Sequence, residues 1–139
     1  MDNINRRIID ILQREGRISM TELGNRISLS VPAVTERVRK LEDNGIIEGY
    51  RAEINSRKIN KSVKAFILMK TYRCKAFREF CKDNPLVIEC HRLTGEYSYL
   101  VKVVTETNEL LEEFIDLSME YGEPHTMMNL SSPVPYKNI

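Results

Sequence analysis

The stretch from Ser30 to Tyr50, SVPAVTERVRKLEDNGIIEGY, leaves the backbone little choice. Ser30 is a good helix N-cap, because its hydroxyl can accept a hydrogen bond from a free amide of the first turn. Pro32 suits that turn, where amides have no intrahelical acceptor to lose. Val34, Val38 and Leu41 recur at helical spacing and face inward. Arg37, Arg39 and Lys40 are left for the other faces, and Asn44-Gly45 ends the helix with a left-handed cap. The spacing thus predicts an exposed basic helix of about 20 Å, the right size for a DNA major groove. Taken alone, such a helix is more often a solvated surface element. Its neighbours decide.

The residues before it predict two shorter helices. Ile4, Ile8, Ile11 and Leu12 form one apolar stripe, with Ile9 beside it, ending at Glu15-Gly16. Ser19-Met20-Thr21-Glu22 reads as a capping box, with serine serving an early amide and glutamate reaching back. It opens a helix over about Met20 to Ile27, with Leu23 and Ile27 inward, and Ser28-Leu29 makes a tight turn to Ser30. Two short helices joined in this way, braced by a third, are the helix-turn-helix pattern. Residues Ile46 to Ile54 alternate enough for one or two short strands, a wing or a connecting strand. Asn55 to Ser62 is polar, basic and aperiodic, and reads as a linker.

Charge supports a polyanion at this end. The whole chain is nearly neutral, at +1, but residues 1–64 carry 13 Lys and Arg against 9 Asp and Glu, whereas residues 65–139 carry 8 against 11.

The second half alternates element types. Strands are expected over Val63–Tyr72, Val87–Leu93, Tyr97–Val104 and His125–Leu130, and helices over Ala76–Asp83 and from Thr107 to Gly122. In the longer helix Leu110, Leu111, Phe114 and Leu117 are expected to face the sheet. The order βαββαβ is that of a ferredoxin-like fold, with two helices on one face of a four-stranded sheet. The other face is left open and should carry apolar residues, Ile67 among them, so a second copy related by a two-fold axis is expected there.

The string IIDILQREGRISMTELGNRISLSVPAVTERVRKLEDNGIIEGY resembles the N-terminal domain of the Lrp/AsnC family of transcription regulators. The element order of the second half resembles that family's effector-sensing, dimer-forming domain. The resemblance implies an α+β chain: a winged helix-turn-helix over 1–50, a connecting strand and linker over 51–61, and a ferredoxin-like βαββαβ effector and oligomerisation domain over 62–139. It implies a sequence-specific regulator in the cytoplasm, binding palindromic double-stranded DNA as a homodimer that assembles further, commonly to an octamer. The alternative is an architectural DNA-binding protein without ligand response. The family tends to have glycine near the end of the linker, where Asn60 stands here. Asparagine is the non-glycine residue best suited to positive φ.

Base-reading candidates at the start of the third helix are Ser30, Val31, Pro32, Ala33, Thr35 and Glu36, with Arg37 able to reach a guanine edge or a phosphate. Arg39, Lys40, Arg26, Arg51, Arg57 and Lys58 are candidates for phosphates. In the family the loop corresponding to Thr94, Gly95, Glu96, Tyr97 and Ser98 lines an amino-acid site between dimers. A typical member has aspartate near the position of Ser98, and a serine offers only a neutral hydrogen bond to an α-ammonium.

No nucleophile-base pair, phosphate loop or metal cluster is apparent, so no enzymatic activity, cofactor or metal is expected. Cys90 and His91 are adjacent and should point to opposite sheet faces, which separates them as ligands. Cys74, Cys81 and Cys90 read as reduced, buried thiols. The longest apolar run, Ala65–Met69, is too short to span a membrane, and the N-terminus has no apolar signal core.

Overall fold

The structure is a computed structural model describing residues 1–139. It divides into two compact units, Met1–Glu53 with Val134–Ile139, and Ile54–Pro133. No helix is long and apolar enough to cross a membrane.

The first unit holds three helices: α1 (Asn3–Arg14), α2 (Met20–Ile27) and α3 (Val31–Asp43). Each starts on a side-chain cap. Asp2 accepts from the amide of Asn5, Ser19 from that of Glu22, and Ser30 from that of Ala33. The capping box is only half formed, because the Glu22 carboxylate turns to Arg26 instead of reaching back. Ile8, Leu12, Leu23, Ile27, Val34, Val38 and Leu41 make one closed aliphatic core. The tightness of the α2–α3 turn rests on two residues. Ser28 takes the left-handed conformation, with φ at 59°. Gly24 lies so close to the next segment that a Cβ would sit 2.7 Å from the Leu29 carbonyl oxygen. The last six residues belong to this unit, where Gln13 bonds both the amide and the carbonyl of Ile139.

The expected strands over Ile46–Ile54 do not form. The alternation is broken by Gly49, which adopts positive φ, and no partner strand lies in this unit. The linker is not featureless either. Ser56–Ile59 makes a short 3-10 turn capped by Asn55, and Asn60 closes it at φ 63°.

The second unit contains β1 (Val63–Lys70), α4 (Cys74–Asp83), β2 (Val87–Arg92), β3 (Tyr99–Thr105), α5 (Asn108–Ser118) and β4 (Glu123–Met128). The strands form one antiparallel sheet in the order β2-β3-β1-β4. Ala65, Ile67, Met69, Tyr99, Val101 and Val103 face the helices and pack on Phe77, Cys81, Leu111 and Phe114. Gly122 permits the close crossing into β4, since a Cβ there would fall 2.2 Å from the Lys70 carbonyl oxygen.

Three expectations are corrected here. Ile67 is 1% exposed and lies in the core; the open face instead carries Phe66, Leu68, Leu100 and Val104. On α5 the buried positions are Leu111, Phe114 and Ser118, so Leu110 and Leu117 point outward. A three- and four-residue stripe from Leu111 passes through Phe114, Ile115 and Ser118 and bypasses both leucines. Finally, β4 begins at Glu123 and contains Pro124 opposite Met69. Proline is tolerated because this is an edge strand.

Candidate nucleic-acid interface

Helix α3 turns Val34, Val38 and Leu41 into the core, and this sets what its other faces present. Ser30, Val31, Pro32, Ala33, Thr35 and Glu36 are all exposed at its N-terminal half. Val31 is an apolar side chain 42% exposed, beside the exposed Pro32 and Ala33. The Thr35 hydroxyl donates back to the Val31 carbonyl at 2.7 Å, which leaves its methyl group free to face outward.

Arg39 and Lys40 continue this surface and share Glu36 as a partner, at 3.1 Å and 3.6 Å. Arg39 also approaches Asp43 at 3.9 Å. The hydrogen bond from Arg39 holds the Glu36 carboxyl below its ordinary range. These pairs are exposed and sit along one helix face, so each is weak and readily exchanged for another anion.

Two arginines have settings the sequence reading did not give them. Arg37 is half-buried and donates to Asp2 at 2.7 Å and to Asn5 at 2.9 Å, tying α3 to the start of α1. It stands three residues after Val34 and four before Leu41, a position on the flank of the inward stripe. Arg26 is gripped by Glu15 and Glu22, and these two carboxylates raise its pKa. Arg51 is exposed in the segment after α3, and Arg57 and Lys58 are exposed on the 3-10 turn of the second unit. Arg17, in the turn between α1 and α2, is a further exposed cation without an ion pair. Only a charge count over the unit pointed to it, since no helical pattern includes it.

The hairpin between β2 and β3 is closed by a bond from the Leu93 amide to the Ser98 carbonyl at 2.9 Å. Thr94, Gly95 and Glu96 are exposed at its tip, with Gly95 at φ 104°. Tyr97 is half-buried, its ring 6.0 Å from that of His125. Ser98 is engaged: its hydroxyl donates to the Thr71 carbonyl at 3.0 Å and accepts from the Thr71 amide at 3.4 Å. It fastens the hairpin to the end of β1. Of the cysteines, Cys81 is buried, Cys74 is half-buried and Cys90 is exposed, against the expectation of three buried thiols. Cys90 pairs with Val101 on the helix side of the sheet, and His91 with Leu100 on the other.

Comparison with known proteins bears on both units. Residues 1–48 match the winged helix-turn-helix DNA-binding family model, and residues 62–139 match the Lrp/AsnC ligand binding domain. The chain is 52% identical over 132 residues to the uncharacterized HTH-type transcriptional regulator YezC of Bacillus subtilis, covering 95% of both. It is 34% identical to the HTH-type transcriptional regulator LrpC of the same organism, over 99% of this chain and 96% of that one. The solved structure of B. subtilis LrpC superimposes with a TM-score of 0.92 at 33% identity, covering 98% of this chain and 99% of that one. A Neisseria meningitidis transcriptional regulator solved in complex with L-Met superimposes with a TM-score of 0.91 at 26% identity, over 100% and 96%. With the helical trio, the βαββαβ sheet and these matches together, the chain belongs to the Lrp/AsnC family of helix-turn-helix transcriptional regulators.

Proposed function

We propose that the protein regulates transcription by laying the outward half of α3 in the major groove of a two-fold-symmetric operator, as a homodimer joined through its open sheet faces. Ser30, Val31, Pro32, Ala33, Thr35 and Glu36 meet base edges. Arg39, Lys40 and Arg51 meet phosphates, exchanging weak internal carboxylate contacts for the DNA backbone. Arg37 supports the interface by holding α1 against α3. Arg26, already held by two carboxylates, contributes through the shape of α2 more than through free charge.

The observation that carries this reading is the division of α3 into a buried valine–leucine stripe and a continuous exposed face that starts at its cap. Selection of bound duplexes from random DNA tests it. A recurring inverted repeat with half-sites about one helical turn apart, or a multiple of that, is expected. Absence of duplex binding at low salt overturns it.

An amino acid is the effector this reading favours, held at the exposed tip Thr94–Gly95–Glu96 between Lrp-type dimers, with Tyr97 as a flanking ring. One observation favours a second reading, an architectural DNA binder without ligand response: the Ser98 hydroxyl is spent on Thr71 and has no free donor for an effector. Titrating a panel of amino acids against operator affinity separates the two. A shift for any amino acid supports the effector; no shift for any supports architecture.

A further inference from the structure

The second unit has a concavity that neither the open sheet face nor the hairpin uses. Between α4 and the outer strand β2 lies a cleft of about 390 Å³, walled by Val87, Ile88 and Cys90 and rimmed by Arg78, Lys82 and Arg92. That volume is toward the small end of ligand sites, about 300–1,000 Å³.

Its charge is one-sided. Lys82 meets Glu79 at 3.2 Å on the exposed rim, but Arg78 and Arg92 form no ion pair. Glu89, the one carboxylate along the cleft, is spent on Lys102 at 3.0 Å and His91 at 3.1 Å. Alternation along β2 explains this, because Glu89 and His91 point to the open sheet face while Cys90 and Arg92 point to the helix side.

Two of the donors are fixed in place. Arg78 donates through Nη1 to the Tyr99 hydroxyl at 2.9 Å, and the Tyr99 ring is 1% exposed. Since that oxygen accepts from Arg78, the phenol proton remains available to a further acceptor. Arg92 stands directly opposite Tyr99 in the β2–β3 ladder. Arg78, Arg92 and Tyr99 therefore line one cleft beside an apolar wall.

Unspent guanidinium groups call for an anion. An inorganic ion would leave the apolar wall and most of the volume unused. An amino acid would bring an ammonium for which the cleft has no free carboxylate. We propose that this cleft binds a small organic carboxylate lacking an α-ammonium group, a 2-oxo or 2-hydroxy acid with an aliphatic side chain. Its carboxylate lies on Arg78 and Arg92, its 2-oxygen accepts from Tyr99, and its aliphatic end rests on Val87, Ile88 and Cys90.

Calorimetric titration of the full chain with 4-methyl-2-oxopentanoate tests the assignment, with leucine and inorganic phosphate as comparison ligands. Saturable binding of the oxo acid is expected, weakened about tenfold or more in Arg78→Gln and in Arg92→Gln. It should be unchanged in Lys75→Gln, an exposed cation of α4 outside the cleft. Arg92 is itself exposed, so that variant keeps the test open even if Arg78→Gln fails to fold. Bound oxo acid should also slow alkylation of Cys90 by iodoacetamide. The assignment is overturned by absence of saturable binding, by binding of leucine or phosphate as tight as that of the oxo acid, or by equal weakening in Lys75→Gln.

Discussion

The two units solve the same problem, a small core, and finish with opposite surfaces. The helical unit closes an all-aliphatic core and covers its outside with charges, many of them paired with each other. The sheet unit builds a core richer in aromatics, with Phe77, Tyr99 and Phe114, yet leaves Phe66, Leu68 and Leu100 only half covered on its other face. The difference follows from geometry. A helix has one apolar stripe to hide, and three helices can hide all of theirs together. A strand has two faces, and two helices cover only one side of a sheet. The first unit is therefore complete with a polar exterior suited to a polyanion. The second still lacks a layer, and another copy can supply it.

Charge placed on the two sides of the sheet breaks this contrast most severely. Ile67→Glu buries a carboxylate beneath the helices and should destabilise the second unit by about 3 kcal/mol or more, read as lost secondary structure in circular dichroism. Phe66→Glu, one residue earlier, should leave the fold intact and lower the sedimentation coefficient toward that of a monomer. An intact dimer in Phe66→Glu would place the interface elsewhere.

Smaller effects come from close backbone approaches, one in each unit. Gly122→Ala and Gly24→Ala should each cost about 1–3 kcal/mol through overpacking, measured by thermal melts. Only Gly24→Ala should also reduce operator affinity, because it loosens the α2–α3 turn.

Within the helical unit, single arginines separate contact from scaffolding. Arg39→Ala should weaken binding to all duplexes alike and reduce the slope of log affinity against log salt by about 0.9. Arg37→Ala should lower the melting temperature of the unit and leave that slope unchanged. A changed slope would return Arg37 to the DNA contacts.

The smallest effect expected is with acid. The carboxyl of Asp2 is held below its ordinary value of 3.8 by the Asn5 amide and then by Arg37, and Glu15 below 4.5 by Arg26. A depressed folded pKa contributes stability above the unfolded value, lost as pH falls through the folded one. Thermal melts of the chain should therefore be flat above these values and fall below them. Arg37→Ala should reduce, without abolishing, the part of that fall due to Asp2, since the Asn5 amide still holds its carboxyl down.

Much of the fold was legible because caps and stripes are local. Ser19, Ser30 and Thr107 each cap the helix their position announced. Asn60 takes the positive φ that its chemistry allows. The misreadings arose where a residue's meaning depends on a distant one. Nothing near Ile67 in sequence says which sheet face α4 and α5 will cover. Arg37 lies on the flank of the inward stripe, and its bonds to Asp2 and Asn5 reach residues 35 and 32 positions away. The engagement of Ser98 depends on Thr71, a partner 27 residues away, and lies beyond any local pattern.

Pro124 sits in an outermost strand of the sheet, where it can offer no amide to a neighbour. That border resists extension, so a strand from another copy is discouraged from pairing along it. Growth by stacking ends once the flat sides are matched, whereas growth along a rim would run on into a fibre. One ring-shaped side chain thus helps guard a sheet with a half-exposed apolar face against growth into a fibre.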